Sequence, residues 1–172
     1  MSITIEALTR LHDRKYLDCG VTELNQFLQN QARQKNDKHI AKTYVVHSES
    51  ELSLILGYYT ITGYSVIIPP AHRNYKNYPH PLKAVKLARL AVDKSQQGQR
   101  LGERLLINAI FRTVLVAEQI SAIGLFVDPM NSQIIPFYEQ YGFLHLEQGG
   151  AGGLEMWLPI KTCQKLVDSM GT

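Results

Sequence analysis

Hydrophobic and polar positions along this chain sort into short apolar runs and longer stretches of helical period. The apolar runs predict strands at residues 3–7, 43–47, 54–67, 85–92, 121–127, 144–146 and 154–160, and the long third run has room to divide into two. From Leu101 onward Leu105, Leu106, Ala109, Ile110, Val114 and Ala117 make a helix apolar over most of its circumference, with Arg104, Asn108 and Arg112 as a narrow polar stripe. Such a helix is built to pack on a sheet. A second helix is predicted from Thr22 as cap, with Leu24, Phe27, Leu28 and Ala32 on the apolar side and Asn25, Gln26, Gln29, Asn30 and Arg33 on the polar side. Lys35 falls back toward the apolar side, so that helix is expected to fray or end there. Gly57 and Gly63 predict a bend, bulge or turn within the third run.

The most informative junction is residues 85–106, where an apolar strand ends at Asp93 and a polar segment from Lys94 to Arg100 leads into the helix. Gly98 and Gly102 permit backbone conformations or close approaches that a side chain obstructs. Residues 97–102 are therefore expected to form a nest of N–H donors ahead of the helix, with Arg100 adding positive charge, and a diphosphate fits such a nest best. Loops that only turn the chain also need glycine. Neither G-x-G-x-x-G nor G-x-x-x-x-G-K-[ST] occurs, so the dinucleotide fingerprint and the P-loop do not apply.

The segment QGQRLG resembles the pyrophosphate motif of the GNAT family of N-acetyltransferases, Q/R-x-x-G-x-G/A. Gln97 and Gly102 match its ends, and Arg100 stands where the pattern has its first glycine. The resemblance implies acetyl-CoA as cofactor, with its pyrophosphate on the backbones of Gln97, Gly98, Gln99, Arg100, Leu101 and Gly102 and with Glu103 close behind. It implies also that Leu90, Ala91 and Val92 bond the pantetheine arm by main chain, where strand 85–92 parts from its neighbour; otherwise these are ordinary interior strand residues. Arg100 cannot relieve strain as glycine does, so an ordinary backbone conformation is expected there, with the guanidinium reaching phosphate.

Residues 131–143, NSQIIPFYEQYGF, are similar to the helix after the fifth GNAT strand, A/N-x-x-x-x-x-F-Y-x-x-x-G-F. Asp128, Pro129 and Asn131 predict a turn and cap, Gly142 stops the helix, and Pro136 predicts a distorted first turn. From this match come Asn131 as a cofactor contact and Tyr138 as general acid to the departing thiolate. The residues alone leave a second reading, in which Phe137, Tyr138, Tyr141 and Phe143 form an aromatic core cluster.

Residues 19–46, CGVTELNQFLQNQARQKNDKHIAKTYVV, resemble the N-terminal segment of the GNAT toxins of toxin–antitoxin pairs, C-G-x-x-x-L-D/N-x-F-L followed by an alanine and a T-Y/F-V strand. Asn25 stands where aspartate is more usual. The resemblance spans roughly residues 3–159 and implies acetylation of the amino group of amino acids esterified to tRNA, a translation block, and a ribbon-helix-helix antitoxin as partner. The fold it implies is α/β (α+β), a GNAT domain over residues 1–172 with a mixed, mostly antiparallel sheet of about seven strands flanked by helices.

Charge adds a location rather than a class. Lys and Arg total 18 against 15 Asp and Glu, a formal net charge of +3 with a pI near 8.8, far from an architectural nucleic-acid binder. Residues 73–104 nonetheless carry eight cations, Arg73, Lys76, Lys83, Lys86, Arg89, Lys94, Arg100 and Arg104, against Asp93 and Glu103. Arg33, Lys35, Lys38 and Lys42 form a further basic segment, either solvated surface or an RNA contact. Arg33, Lys38 and Arg89 are the candidates for RNA docking; alternation leaves Arg89 equally able to pair with a carboxylate across the sheet. The Pro- and Tyr-rich stretch 67–82 is expected to be a loop whose His72, Tyr75, Tyr78 and His80 stack on bases, cover the active-site edge or make a homodimer contact.

No zinc-ligand spacing occurs, so no metal is expected. Cys19 and Cys163 are too few for a disulfide scaffold. The start has no sustained apolar region and the chain no run of 18 apolar residues, so a cytoplasmic protein without membrane contact is expected. No Glu or His is placed as a general base, which favours an α-amine of pKa about 7.7 to 8.0 over a lysine amine near 10.4. A small-molecule or protein N-acetyltransferase without a toxin role, and a nonenzymatic CoA- or RNA-binding module, are the competing classes.

Overall fold

The computed structural model describes residues 2–66, 75, 77–78, 81–146 and 154–170. His72 and His80 of the expected stacking loop lie outside the described residues, as do Arg73 and Lys76.

The elements in chain order are β1 (Ile3–Ala7), α1 (Thr22–Asn30), α2 (Ala32–Asp37), β2 (Lys42–Ser48), β3 (Gly57–Val66), β4 (Leu82–Val92), α3 (Leu101–Ile120), β5 (Gly124–Val127), α4 (Ile135–Glu139), β6 (Leu144–His145), β7 (Met156–Pro159) and α5 (Ile160–Ser169). The seven strands form one sheet in the order β1-β2-β3-β4-β5-β7-β6. Neighbours with a described register pair antiparallel except β4 with β5, which pair parallel at Val85↔Leu125, Lys86↔Phe126 and Leu87↔Val127. The mixed, mostly antiparallel sheet flanked by helices is the expected one.

Local departures have physical causes. The 54–67 run does not divide; Gly57 opens β3 because a Cβ there would sit 2.8 Å from the Ala91 carbonyl oxygen and 3.1 Å from Leu105 Cδ1. A close approach, not a bend, requires that glycine. The helix expected from Thr22 breaks at Gln31 into α1 and α2, and its N-cap is Val21, without a side-chain cap; Thr22 already lies inside. It also runs past Lys35 to Asp37, because the lysine stem lies along the core and carries Nζ to 5.5 Å from the Phe27 ring centre. The apolar run 154–160 yields only the strand Met156–Pro159, and Ile160 starts α5, a helix unforeseen from the apolar pattern.

The chain forms two compact units, Met1–Thr62 with Ala88–Ala109, and Gly63–Leu87 with Ile110–Thr172. The first is centred on Leu8, Leu17, Phe27, Leu28, Val45, Ile55, Tyr58 and Ala91, all buried. In the second, Val66, Ala84, Phe126 and Trp157 form a buried hydrophobic cluster, with Phe126 and Trp157 stacked at 5.4 Å. Along α3 the predicted apolar positions Leu105, Leu106, Ala109, Ile110 and Val114 are all buried. Each such leucine or isoleucine contributes about 1.5–3 kcal/mol by leaving water.

Candidate functional site

In the first unit, β4 leads through Asp93 into a 3-10 turn, Lys94–Gln96, and a loop that ends at α3. Gly98 has φ +84° and Arg100 φ +64°. The expectation of an ordinary conformation at Arg100 is therefore corrected: Gly98 and Arg100 are both left-handed, and the arginine bears a Cβ strain that glycine would avoid. Gly102 lies within α3, where a Cβ would meet only Val92 Cγ2 at 3.8 Å. The first helical bond runs from the Arg104 N–H to the Arg100 carbonyl at 3.1 Å. Among the described residues the N–H groups of residues 98–103 have no acceptor. A helix N-terminus with further free amides ahead of it attracts negative charge.

The loop is held in place by a side-chain network that joins it to the segment before α1. Gln97, exposed like Gly98 and Gln99, turns its amide Nε2 to the carbonyls of Cys19 at 3.2 Å and Val92 at 3.1 Å. Asp93 accepts from the Asp18 N–H at 2.8 Å and from the Ser95 N–H and hydroxyl at 3.0 and 2.6 Å. Asp18 in turn accepts from the Gly20 N–H and the Asn25 side chain, and Asn25 accepts from the Cys19 N–H at 2.9 Å. Lys94 completes the knot, with Nζ 3.3 Å from Asp18 and its N–H on the Asp18 carbonyl. The Gly20 hydrogen bond, with Asn25 and Lys94, lowers the Asp18 carboxyl below its ordinary range. The Asp18 and Ser95 N–H groups and the Ser95 hydroxyl lower Asp93 despite its burial. Asn25 thus uses both ends of its amide, the oxygen accepting from Cys19 and the nitrogen donating to Asp18, and a carboxylate here could do only the first.

Leu90 and Val92 are half-buried and Ala91 is buried. Described pairing of β4 with β5 ends at Leu87 while β4 runs on to Val92, so Leu90, Ala91 and Val92 lie beyond it. Leu101 is buried and Glu103 half-buried at the start of α3.

In the second unit, Asn131 caps a 3-10 turn, Ser132–Ile134, by accepting from the N–H groups of Gln133 at 3.0 Å and Ile134 at 3.2 Å. Regular α-helix begins only at Ile135 with Pro136 in its first turn, where no bond is lost, as the distorted first turn predicted. Tyr138 is 5% exposed between Phe137 and Phe143, at 5.2 and 5.4 Å edge-on. Burial pushes its phenol up to about 12, and the hydroxyl has no partner among the described residues. The ring is core, as the second reading has it, and the oxygen is protonated near neutral pH.

Within the cationic stretch Lys86, Arg89 and Lys94 are engaged among the described residues. Lys86 Nζ lies 2.6 Å from Glu155 and 2.8 Å from Asp128, with Tyr64 donating to Glu155 at 2.9 Å. Arg89 pairs with no carboxylate among the described residues; its guanidinium stacks 3.7 Å from the Phe27 ring centre. Arg33 makes a solvent-facing pair with Asp37 at 3.8 Å, Lys38 is exposed, and Lys42 donates to the Asn36 carbonyl at 3.2 Å.

One titratable cluster was not anticipated. Glu6, His12 and His47, on β1, the turn after it and β2, hold ligand-type atoms within 4.8 Å of one another. The Thr9 N–H donates to His12 Nδ1 at 3.0 Å, so neutral His12 carries its proton on Nε2, toward Glu6. His47 bonds the Ser48 carbonyl through Nδ1 at 2.9 Å and Glu6 through Nε2 at 2.7 Å. Both cysteines are free and buried, and burial raises the Cys163 thiol to about 12.

Comparison with known proteins agrees with this geometry. Residues 41–144 match the acetyltransferase (GNAT) domain family. The tRNA-acetylating toxin of Mycobacterium tuberculosis is 28% identical over 149 residues, 86% of each chain. A tyrosine-to-phenylalanine mutant of KacT superposes with a TM-score of 0.86 at 29% identity, covering 96% of this chain and 99% of that one. AtaT complexed with acetyl-methionyl-tRNAfMet gives 0.85 at 29% identity over 96% and 99%. A tyrosine-to-phenylalanine mutant of the AtaT toxin, bound to the C-terminus of the antitoxin AtaR and to acetyl-CoA, gives 0.81 at 28% identity over 97% and 99%. A sheet with this strand order, an amide-rich loop opening its longest helix and a match over most of the chain lead to one conclusion: the protein belongs to the GNAT family, as an acetyl-CoA-dependent N-acetyltransferase closely similar to the tRNA-acetylating toxins.

Proposed function

We propose that this enzyme transfers the acetyl group of acetyl-CoA to the α-amine of an aminoacyl-tRNA and so acts as a translation-blocking toxin. The run of acceptor-free amides at residues 98–103 carries the cofactor part of the reading. Gln97, Gly98, Gln99, Arg100, Leu101, Gly102 and Glu103 surround the pyrophosphate, while Leu90, Ala91 and Val92 bond the pantetheine arm through their main chain. Asn131 keeps its amide Nδ2 for the cofactor while its oxygen caps the turn.

The amine nitrogen attacks the thioester carbonyl carbon, the oxyanion so formed is stabilised by a main-chain N–H of β4, and the C–S bond breaks as it collapses. The departing thiolate takes a proton from Tyr138, and the amine loses its own to solvent. An α-amine, near neutrality partly free base, needs no dedicated base. Arg33, Lys38 and Arg89 contact RNA phosphate; the Arg89 face is covered by Phe27, which leaves its edge N–H groups for the task.

The likeness to AtaT in its complexes with acetyl-methionyl-tRNAfMet and with the antitoxin AtaR supports an RNA acceptor and a small antitoxin of ribbon-helix-helix type. The same reading has residues 1–172 work as one catalytic domain in the cytoplasm, with a homodimer as its assembly; among the described residues no helix is long and apolar enough to cross a membrane. Acetyl transfer to a charged tRNA pool, measured beside free amino acids, polyamines and peptides, tests it. Transfer confined to the small amines or peptides would replace the toxin reading with that of a metabolite or protein N-acetyltransferase.

A further inference from the structure

We propose that a surface groove of about 640 Å³ on the first unit, lined by Arg10, Arg14, Lys15 and Arg33, is a phosphate track for an RNA backbone, a proposal that rests on the aminoacyl-tRNA reading. Three of these four cations lie in segment 10–15, RLHDRK, a basic run too short to mark a site by itself. Folding brings them against Gln29, Asn30 and Arg33 at the α1–α2 junction.

Four cations stand against Asp13 in the lining and Asp37 paired to Arg33 beside it, a local excess of +2. Arg10 and Lys15 are exposed and have no carboxylate within ion-pair distance among the described residues. Arg14 donates to the Gln29 carbonyl at 2.7 Å and the Leu28 carbonyl at 3.5 Å, both through Nη1, which fixes its guanidinium at the C-terminal end of α1. The Arg33 pair with Asp37 is solvent-exposed at 3.8 Å and is readily exchanged for phosphate. Concentrating like charge in a concavity, instead of dispersing it, raises the local potential for a polyanion.

The wall is also braced before any ligand arrives. The Asp13 N–H donates to the Ser53 carbonyl at 2.8 Å, the Thr9 N–H to His12 Nδ1, and the Lys15 N–H to Asp13 Oδ1 at 3.0 Å. A preformed wall saves the ordering cost of binding. No Phe, Tyr or Trp lines it, so it offers no base stacking, and Leu11 is its single large apolar side chain. A protein partner would need aromatic or aliphatic anchors at its centre. The chemistry fits the sugar–phosphate backbone and is indifferent to sequence.

The test uses the full chain and bulk deacylated tRNA, with affinity measured across a salt series for wild type and for Arg10→Ala/Lys15→Ala. Losing two phosphate contacts should lower the slope of log affinity against log salt by about 1.5, with acetyl-CoA affinity and Tm unchanged. An unchanged slope, absence of tRNA binding by wild type, or displacement of tRNA by poly-glutamate as effective as by unlabelled tRNA would overturn the groove. Acetylation of charged tRNA is followed in the same samples. Groove-dependent tRNA binding without acetylation leaves the groove standing and sinks the acceptor assignment, whereas acetylation with groove-independent binding does the reverse.

Discussion

Arg100 separates what the cofactor loop demands of the backbone from what it demands of charge. At φ +64° its Cβ is in the left-handed region, which costs a non-glycine residue about 1–2 kcal/mol. Arg100→Gly removes that strain but adds freedom to the unfolded chain, a loss of about 0.4–1 kcal/mol, so the net change is between zero and a gain of about 1.6 kcal/mol. For a chain of this length that is a Tm rise of at most about 6 °C. Arg100→Ala keeps the strain and should leave Tm within about 1–2 °C. Cofactor affinity goes the other way: a guanidinium bonded to pyrophosphate contributes about 1.5–3 kcal/mol, so both variants should bind acetyl-CoA roughly tenfold to a hundredfold more weakly. Thermal unfolding and isothermal titration with acetyl-CoA, run on all three proteins, give the two numbers separately. A clear loss of Tm in Arg100→Gly refutes the strain, and unchanged affinity in both variants refutes the phosphate contact.

Tyr138→Phe should cut turnover by roughly 10²-fold or more at little cost in acetyl-CoA affinity, since the ring packing is retained, and wild type should show no falling limb from Tyr138 below about pH 11. Steady-state thiol release with charged tRNA reads both. Gln97→Ala removes two side-chain bonds to the Cys19 and Val92 carbonyls; acetyl-CoA affinity should fall severalfold while Tm drops by only a few degrees, and an unaltered affinity would show that the loop stands without them. Gly57→Ala forces a Cβ to 2.8 Å from a backbone oxygen that cannot step aside, so denaturant unfolding should show a loss of about 1–3 kcal/mol. Burial tends to lower His47, but its bonds to the Ser48 carbonyl and Glu6 leave it raised, so its contribution to stability is full below about pH 6.5 and fades as pH rises through the raised value. His47→Gln should flatten that decline in Tm between mildly acid and alkaline pH, and a decline of wild-type steepness would remove His47 as its source.

Periodicity and short-range chemistry made much of this protein legible from its sequence. The strands, the apolar positions of α3, the distorted turn at Pro136 and the Asn131 cap all follow from interactions within a few residues, which local sequence encodes directly. The cofactor loop could be located for the same reason, since a polar segment between an apolar strand and a helix leaves free amides wherever it folds. Tertiary structure alone decided the rest. Arg100 is left-handed because residues on both sides of it are fixed, by Gln97 on one side and α3 on the other, and no propensity can override that closure. The brace beneath the loop joins Asp18 to Asp93, and the basic groove joins Arg10 to Arg33, across separations that periodicity does not span. Charge was the least legible property: in the cation-rich stretch Lys86, Arg89 and Lys94 are engaged by Asp128 with Glu155, the Phe27 ring and Asp18, while Arg10, Arg14 and Lys15 meet Arg33 of a distant segment in one concavity. Electrostatic potential depends on distance in space, and only folding sets that distance.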